Sequence, residues 1–416
     1  MKGEPDSPFF PIIVIRVRFI NSIDNRIFVM MFATWDTEAF FAKATKGSFA
    51  AKAARVDVFK NNCEIFREGG YVTSSGKTVT LDPYPMLEGT VVYDSPIPLP
   101  EAGQVDSPLL TGVANTGCLE LGRDLQLKGY NPVILNLADA YVACGWYERG
   151  SNAQEESLCR QTTLSQSLYQ FYDSKKAELS GVPFRRKGYP MDMRHGAIYS
   201  PRVTVFRKGS RDGFALMDEP YETAFISCAA MDFNEKHGKN LEYRSFDGGF
   251  TPEGKEIMLS KIRTIYSAAL TAGHDSMVLG AFGCGAFRLR PDLVAGMFRD
   301  VLFEPEFKGR RFRAVVFAIL EKPGAESGAR GKFAPFYDIF GKYGAPSAKI
   351  KDPEPAAEHV DISEYKIGQT VSHEKFGKGT VTGVQPEKGR IAVDFIVYGP
   401  KVLSAAKANL KIVDKE

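Results

Sequence analysis

The sequence predicts an α/β protein with three layers around a mostly parallel sheet, followed by a small all-β module. From about residue 110 to about residue 320, short apolar runs alternate with helical patterns, the order expected when helices cover both faces of a sheet. After about residue 343 the composition turns to Pro, Ala and charge, and then apolar residues alternate with period two between glycine turns. We therefore predict an N-terminal extension at 1–45, an α/β domain with an N-terminal accessory at 46–343, a linker at 344–364 and a β-barrel at 365–413.

Bulk composition argues against several classes of protein. The 416 residues carry a formal net charge of +3 and a pI near 8.3, too mild to indicate nucleic-acid or membrane binding by bulk electrostatics. The six cysteines form no CxxC pair and the five histidines show no metal-ligand spacing. We therefore predict no metal, no cofactor and no disulfide framework. A reducing compartment is expected, either the cytoplasm or, in a eukaryote, the nucleus.

The N-terminal stretch is apolar but short. Arg16 and Arg18 interrupt "FFPIIVIRVRFI", whereas a membrane helix needs about 20 apolar residues and a signal peptide carries its charge before its apolar core. We predict no membrane segment here. Residues 9–34 are expected to be a strand-forming or poorly specified extension.

Residues 36–69 show a helical pattern rich in Ala, Lys and Glu. Gly47 is expected to split this pattern, and Gly69 with Gly70 ends it in the manner of a helix C-terminus. The stretch that follows, "GYVTSSGKTVTL", carries β-branched residues on either side of Ser75-Gly76 and predicts a hairpin.

The α/β pattern includes "NPVILNLA" at 131–138, a continuous apolar run typical of a strand that is buried on both faces. One helix is predicted after it, from about Ala153 to Tyr172. The same two periodicities predict the remaining elements: strands at 197–207, 223–230, 276–282 and 312–320, and helices at 253–274 and 291–303.

Two loops follow strands of this predicted sheet. The first runs from Asp139 to the helix that begins near Ala153, and the second, "GCGAFRLR" at 283–290, leads into a helix that begins at Pro291. In open α/β sheets, ligands bind outside the carboxyl ends of the strands. Both loops would direct helix N-termini at one crevice, which favours anions and especially phosphates.

Glycines in the second loop are suited to a bound phosphate. Gly283 and Gly285 would let backbone N–H groups approach a phosphate without an intervening Cβ. A single GxG is also compatible with an ordinary strand-to-helix turn. Phe287 could stack on a ligand ring or pack in the core, and the pattern leaves both alternatives open.

The stretch "SNAQEESLCRQTT" at 151–163 places two adjacent glutamates, Glu155 and Glu156, directly after Gln154. One interpretation is structural: Ser151 or Asn152 caps the helix, and acidic residues complement the positive end of its dipole. The other interpretation is chemical, since paired carboxylates suit general acid and base work on a glycosidic bond.

Four blocks of the chain resemble the microbial-type poly(ADP-ribose) glycohydrolases. The blocks are "EIFREGGYVTSSGKTVTL", "VILNLADAYVACGWYERGSNAQEESLCRQTTL", "AIYSPRVTVFRKGSRDGFALMDEPYETAFISCAA" and "MVLGAFGCGAFRLRPDLVAGMFRDVL". They keep the order of the family and cover about residues 50–340. The resemblance implies a macrodomain, a three-layer fold that binds ADP-ribose, and hydrolysis of ADP-ribose from polymers or from modified protein or nucleic acid.

The resemblance also implies roles for single residues. Glu156 would be the catalytic carboxylic acid, Glu155 would hydrogen-bond ribose hydroxyls, and Gln154 would support the pair. Two neighbouring carboxylates raise the proton affinity of one of them, which helps to keep an acid protonated. Further substrate contacts are predicted at Asn136, Gly145, Trp146, Gly283, Cys284, Gly285, Ala286 and Phe287.

The first loop departs from the family pattern of three consecutive glycines. The aligned positions are Cys144, Gly145 and Trp146, and Asp139 stands where the family tends to carry Asn or Ser. The departure leaves two alternatives to an active glycohydrolase: a non-catalytic ADP-ribose-binding protein, or a macrodomain adapted to another nucleotide-like ligand. Arg288 and Arg290 could add phosphate contacts or be solvated surface charges.

The C-terminal segment resembles the Tudor/SH3-like module of superfamily-one DNA-repair helicases. The characteristic stretch is "GQTVSHEKFGKGTV", in which Gly377 and Gly379 would form a tight turn and Phe376 would fill the small core. Residues 365–416 hold 9 Lys and Arg against 5 Asp and Glu, an excess that suits an acidic partner or a solvated surface. The resemblance implies docking to a protein partner, by analogy in the DNA damage response.

Overall fold

A computed structural model describes residues 32–101, 108–308, 312–321, 331–344, 362–386, 390–404 and 408–413. The predicted extension at 9–34 lies outside these residues except for its last three. The predicted linker at 344–364 likewise lies outside them except at its two ends.

The first two helices of the described residues are separated at the glycine where a break was predicted. Helices α1 (Thr37–Ala44) and α2 (Ser48–Glu68) are separated around Gly47, which has a φ of 118°. Gly69 ends α2 in the left-handed conformation, and its N–H donates to the carbonyl of Ile65. Glycine suits this position because it has no Cβ to oppose the left-handed backbone. Both predictions about these glycines are confirmed.

The predicted hairpin follows directly. Strands β1 (Gly70–Val72) and β2 (Thr78–Thr80) pair antiparallel, with Tyr71 opposite Val79. Helix α3 (Tyr84–Gly89) then leads to the main sheet.

The main sheet has seven strands in the order β3-β6-β7-β5-β8-β9-β4. The strands are β3 (Val91–Tyr93), β4 (Leu110–Ala114), β5 (Pro132–Leu137), β6 (Ala197–Arg207), β7 (Leu216–Cys228), β8 (Ser276–Leu279) and β9 (Ala314–Ala318). Strands β7, β5, β8, β9 and β4 run parallel, whereas β6 and β3 add antiparallel pairs at one edge. The sheet is therefore mixed, with the predicted parallel pairs at its centre.

Helices cover both faces of this sheet. They are α4 (Cys118–Leu127), α5 (Gln154–Gln161), α6 (Leu164–Tyr169), α7 (Ser174–Leu179), α8 (Pro252–Thr271), α9 (Pro291–Leu302) and α10 (Phe333–Phe340). Side chains of β5 alternate between two apolar clusters: Val133 and Leu135 pack with α8, α9 and α10, and Ile134 packs with α4, α5 and α6. The predicted continuous apolar run is thus a strand buried on both faces.

The single helix predicted from Ala153 to Tyr172 is wrong. The structure has two helices there, because the chain breaks at Thr162 and Thr163 to meet β6. Thr162 forms a β-bridge with Val205, and Thr163 exchanges two hydrogen bonds with Thr204. Pairing with a strand that lies some forty residues later replaces the helical hydrogen bonds that the local pattern predicted.

The C-terminal segment forms a five-stranded antiparallel sheet. Its order is β13-β12-β11-β10-β14, with β10 (Thr370–His373), β11 (Gly377–Gln385), β12 (Arg390–Phe395), β13 (Gly399–Ser404) and β14 (Lys411–Ile412). Gly377 has a φ of 71°, and a Cβ on Gly379 would lie 2.7 Å from Phe395. Phe376 packs against the small core, as predicted.

Within the described ranges, each helix is too short or too polar to cross a membrane.

A buried arginine connects the helical accessory to the sheet. The Arg207 guanidinium donates to Asn62 Oδ1 at 2.7 Å, to Asn61 Oδ1 at 2.5 Å and to the carbonyl of Phe214 at 3.0 Å. Burial lowers the pKa of Arg207 to about 9. Asn62 also donates to Tyr147 Oη at 2.7 Å and to the carbonyl of Arg160 at 3.0 Å. Its amide therefore joins α2, β6 and the segment that carries the two glutamates.

We predict that Asn62→Ala lowers the free energy of unfolding by about 2–4 kcal/mol, because the buried Arg207 Nε and the buried carbonyl of Arg160 each lose the partner that Asn62 supplies. Urea unfolding measures this change. Asn152→Ala is the matched control at an exposed position and should change stability by less than about 0.5 kcal/mol. Equal effects of the two variants would contradict the prediction.

Candidate functional site

The two predicted loops lie at the same edge of the sheet. The first loop (138–153) follows β5 and the second loop (280–290) follows β8, and these strands are parallel neighbours. A Cβ on Gly280 would lie 3.3 Å from the Leu137 side chain, so the two loops leave the sheet in contact. Helices α5 and α9 begin at Gln154 and at the predicted Pro291.

Gln154 connects helix α5 to the end of strand β5. Its Oε1 accepts from the N–H of Leu137 at 2.7 Å, and its Nε2 donates to the carbonyl of Leu135 at 2.9 Å. The Cα pairing of β5 with β8 stops at Ile134. The Gln154 amide therefore replaces a strand partner beyond that point, and it holds the first turn of α5 against the sheet.

Glu155 lies in a buried nest of donors, with only 3% of its surface exposed. Its Oε1 accepts from the Cys144 N–H at 3.2 Å and from Asn136 Nδ2 at 3.3 Å, and its Oε2 accepts from the Asp139 N–H at 2.9 Å. Asn136 is itself fully buried and also donates to Ser227 Oγ at 3.0 Å. In the structure the Asn136 amide nitrogen thus contacts Glu155 and Ser227, and the substrate contact of Asn136 stays a prediction.

Burial raises the pKa of Glu155 well above its usual value, and the charge of Glu156 adds a smaller increase. Hydrogen bonds from Asp139 and Asn136 act in the opposite direction. The prediction that one carboxyl of the pair has a raised proton affinity thus applies to Glu155. The resemblance, in contrast, assigned the role of the catalytic acid to Glu156.

Glu156 holds both ends of the segment that precedes α5. Its Oε1 accepts from the Trp146 N–H at 3.1 Å, and its Oε2 accepts from the Ala153 N–H at 2.9 Å. The N-cap of α5 is Ala153, which has no polar side chain, so neither Ser151 nor Asn152 caps the helix as one interpretation predicted. The capping role belongs to Glu156 itself.

Of the three positions that align with the family's glycines, Gly145 is the one that requires glycine. It has a φ of 54°, and a Cβ at this position would lie 2.6 Å from Glu156 Oε1 and 3.4 Å from Glu155 Oε2. The backbone approaches both carboxylates here, so any side chain would displace them. Gly145 therefore lies beside Glu155 and Glu156.

The two residues that replace family glycines lie in different environments. Cys144 adopts a φ of 64° and is fully buried in the apolar cluster beneath the loop. Trp146 has an ordinary φ of −95° and is 43% exposed, with the Arg149 guanidinium 4.2 Å from its ring centre. Cys144 therefore extends into the core, and Trp146 is the replacement that remains accessible to a ligand.

The Asp139 carboxylate accepts hydrogen bonds from the backbone of its own loop. Its Oδ1 accepts from the N–H groups of Tyr141 at 2.7 Å and Val142 at 3.0 Å, which is an Asx turn. The carboxylate thus stabilises the first turn of the loop, and this local role accounts for an acidic residue so near a predicted phosphate site.

The second loop presents a buried and an exposed half. Gly283 (φ 72°) and Cys284 are buried, and a Cβ on Gly283 would lie 2.7 Å from Ala230. Gly285 and Ala286 are exposed, and the nearest atom to a Cβ on Gly285 would be Lys332 Nζ at 3.7 Å. Of the contacts predicted in this loop, Gly285 and Ala286 are therefore the ones that a ligand can reach directly.

Phe287 is partly buried against the main core, which supports the packing alternative. Its carbonyl accepts from the Phe233 N–H at 2.9 Å, and the carbonyl of Ala286 accepts from Asn234 Nδ2 at 2.9 Å. The segment after β7 therefore supports the second loop from one side.

Sequence reasoning missed Tyr189. It is 5% exposed, and its hydroxyl has no hydrogen-bond partner among the described residues. Burial raises the pKa of Tyr189 well above its usual value, and the charge of Glu155 adds to this increase. The N–H of Met191 donates to the carbonyl of Ala140 and joins this segment to the first loop. No sequence motif marks Tyr189, because only the fold brings it near Glu155.

A cavity of about 260 Å³ lies beside Tyr189, between β3, the start of β6 and residues 186–192. Neither glutamate lines it. In the part of the chain that the structure describes, no group of three or more His, Cys, Asp or Glu side chains could hold a metal ion.

We predict that Gly145→Ala lowers the free energy of unfolding more than Gly129→Ala does. Both glycines have a positive φ, so alanine costs about 1 kcal/mol at each through backbone strain. Around Gly129 there is no atom within 4 Å of the added Cβ, whereas at Gly145 it meets the Glu156 carboxylate. Urea unfolding of the two variants gives the comparison, and equal losses would show that the carboxylate moves without cost.

Comparisons with known proteins find similarity to one family of glycohydrolases. Residues 60–208 match the family model of the microbial-type PARG catalytic domain. The crystal structure of poly(ADP-ribose) glycohydrolase (PARG) from Thermomonospora curvata is 26% identical, with a TM-score of 0.54, over 69% of this chain and 99% of that chain. The structure of PARG from the same organism bound to the inhibitor ADP-HPD is 27% identical, with a TM-score of 0.53, over 69% of this chain and 100% of that chain. The comparison with curated proteins gives no match.

These matches include both glutamates, and they favour the predicted enzyme over the predicted non-catalytic binding protein. The chain is therefore an enzyme of the glycosidase type, similar to the poly(ADP-ribose) glycohydrolases.

Proposed function

We propose that this enzyme hydrolyses the ribose–ribose O-glycosidic bonds of poly(ADP-ribose) and releases ADP-ribose. The observation that carries the proposal is the pair Glu155 and Glu156, held side by side at the end of β5 by four backbone N–H groups and one amide. Support comes from the neighbouring PARG structure with bound inhibitor, whose fold this chain shares.

The glutamates divide the work in this proposal. Glu156 donates a proton to the glycosidic oxygen as the bond from that oxygen to the ribose carbon breaks, and the ribose develops oxocarbenium character. The resulting carboxylate then accepts a proton from the water that attacks the ribose carbon. Glu155 hydrogen-bonds ribose hydroxyls and thereby orients the sugar. Gln154 acts indirectly, because its amide is fully used in holding α5 to β5.

The raised pKa of Glu155 bears on the starting protonation state. A neutral Glu155 removes the like charge beside Glu156 and can still accept hydrogen bonds from the Cys144 and Asp139 N–H groups. The pH profiles of the single glutamine variants therefore assign the starting proton to one of the two carboxyls.

The pyrophosphate of ADP-ribose is proposed to lie between the two loops. Exposed Gly285 and Ala286 offer their backbone without a large side chain in the way, and Gly283 provides the left-handed turn beneath them. Trp146 would contact the substrate from the first loop, since its ring is partly exposed. Neither modified protein nor modified nucleic acid is distinguished from free polymer by these groups.

The C-terminal sheet is proposed to close as a Tudor/SH3-like barrel that docks a protein partner. Support comes from its five antiparallel strands and from apolar residues exposed at the β12–β13 turn, namely Ile396, Val397 and Tyr398. The proposed boundaries are those predicted above, with the catalytic domain at 46–343 and the module at 365–413. A cytoplasmic or nuclear role in the DNA damage response rests on the helicase analogy alone.

We predict that Glu156→Gln abolishes release of ADP-ribose from the polymer, with a loss of about 10²–10⁴-fold in kcat, because glutamine cannot donate the proton. Glu178→Gln, at an exposed glutamate on the nearby helix α7, is the control and should retain wild-type turnover. Since Glu156 also accepts two backbone N–H groups, circular dichroism must first show that the variant is folded. Wild-type turnover by folded Glu156→Gln would remove Glu156 from the mechanism.

We predict that Gly285→Val weakens ADP-ribose binding by about tenfold or more, because a branched side chain would obstruct the proposed approach of the pyrophosphate to the backbone. The protein itself has room for the side chain, since the nearest atom to the new Cβ is the flexible end of Lys332. Isothermal titration calorimetry measures the affinity. Gly296→Ala on α9, where a Cβ meets nothing within 4 Å, is the control. Unchanged affinity in Gly285→Val would place the phosphates elsewhere.

A further inference from the structure

A second cavity lies beside the second loop. It has a volume of about 230 Å³ and is lined by Phe233, Glu235, Arg244, Gly248, Arg288 and Arg290. One water molecule occupies about 30 Å³ in the liquid, so the space is large enough for a group such as a phosphate. Its lining includes three arginines and one glutamate, and this charge balance favours an anion.

This cavity adjoins the loop that is proposed to hold the pyrophosphate. Phe233 lines the cavity, and its N–H donates to the carbonyl of Phe287 at 2.9 Å. The adjacent Asn234 donates from Nδ2 to the carbonyl of Ala286. A ligand that continues past the second loop would therefore enter this cavity next.

Two of the three arginines already have carboxylate partners. Arg244 pairs with Glu235 at 2.7 Å, and Arg290 pairs with Asp292 at 2.6 Å. Within the described ranges Arg288 forms no ion pair, and it is exposed. Its guanidinium is thus the lining cation that remains available to a ligand. The two residues therefore differ: Arg290 is paired with Asp292 of its own helix, whereas Arg288 is available for a phosphate contact.

The backbone of Arg288 is strained. Its φ is 60°, a left-handed conformation that is unfavourable for a residue with a side chain. Such strain in a loop is concentrated at sites that bind or react. A glycine would adopt this backbone without cost, so the arginine side chain is present despite the conformation and not because of it.

We propose that this cavity binds a phosphate of the ADP-ribose unit adjacent to the one that is cleaved, with Arg288 as the principal contact. The inference rests on the proposed function and names the polymer as its substrate. Each unit of the polymer carries a pyrophosphate, and the planar guanidinium matches phosphate oxygens in a two-pronged arrangement. A single ADP-ribose unit has no neighbour to occupy the cavity, so the enzyme should favour polymer over single units.

Arg288→Gly tests the proposal, because it removes the guanidinium and leaves the left-handed backbone unstrained. On poly(ADP-ribose), the variant should raise KM about tenfold with little change in kcat, and the dependence of KM on salt should become shallower. The affinity for ADP-ribose itself, measured by calorimetry, should be unchanged. Arg288→Lys keeps the charge but not the fork, and should recover part of the loss. Arg211→Ala, an exposed arginine on the short helix at 210–212, is the control and should leave KM unchanged.

The possible results separate this inference from the proposed function. If Arg288→Gly weakens ADP-ribose and polymer equally, Arg288 belongs to the primary site, and the neighbouring-unit site is refuted. An unchanged KM on polymer refutes it as well. If the wild-type enzyme neither binds ADP-ribose nor cleaves polymer, the proposed function itself has failed.

Discussion

The arrangement of the site depends on one constraint, namely the burial of two adjacent carboxylates against the backbone of a single loop. Glu155 and Glu156 are 3% and 6% exposed, and a buried carboxylate without donors would cost several kcal/mol. Every donor that satisfies them, except the amide of Asn136, is a backbone N–H of the segment from Asp139 to Ala153. The loop is therefore shaped around the carboxylates, and its conformation and their positions cannot change independently.

This constraint accounts for the unusual residues of the first loop. The N–H groups of Cys144 and Trp146 face the two carboxylates, which requires left-handed conformations at Cys144 and Gly145. Of the three positions Cys144, Gly145 and Trp146, glycine is required only at Gly145, where a Cβ would meet Glu156. At Cys144, burial of the side chain in the core offsets the cost of the left-handed backbone. Trp146 has an ordinary φ, and its ring is partly exposed. Two departures from a triple-glycine pattern are thus compatible with an intact pair of glutamates.

The segment that carries this pair is also tied to the stability of the fold. Glu156 links the loop to the start of α5, and that helix is held in turn by Gln154 on β5 and by the Asn62 network beneath it. The accessory helix α2 therefore supports the segment that bears the glutamates, although it contributes no group to the crevice. Across the crevice, the second loop is supported by Phe233 and Asn234 after β7, so the two loops rest on different parts of the fold.

The sequence by itself determined the elements that local periodicity and turn chemistry encode. These are the apolar strand β5, the helix breaks at Gly47 and Gly69, the helix start at Pro291, and the motif around Glu155 and Glu156. Only the tertiary structure decided the break at Thr162, the role of Asn136 beneath Glu155, the burial of Cys144 and the residue whose pKa is raised. The physical reason is that each of these depends on a partner distant in the chain or on exclusion of water. Periodicity reports neither a hydrogen-bond partner nor the solvent exposure of a particular carboxylate.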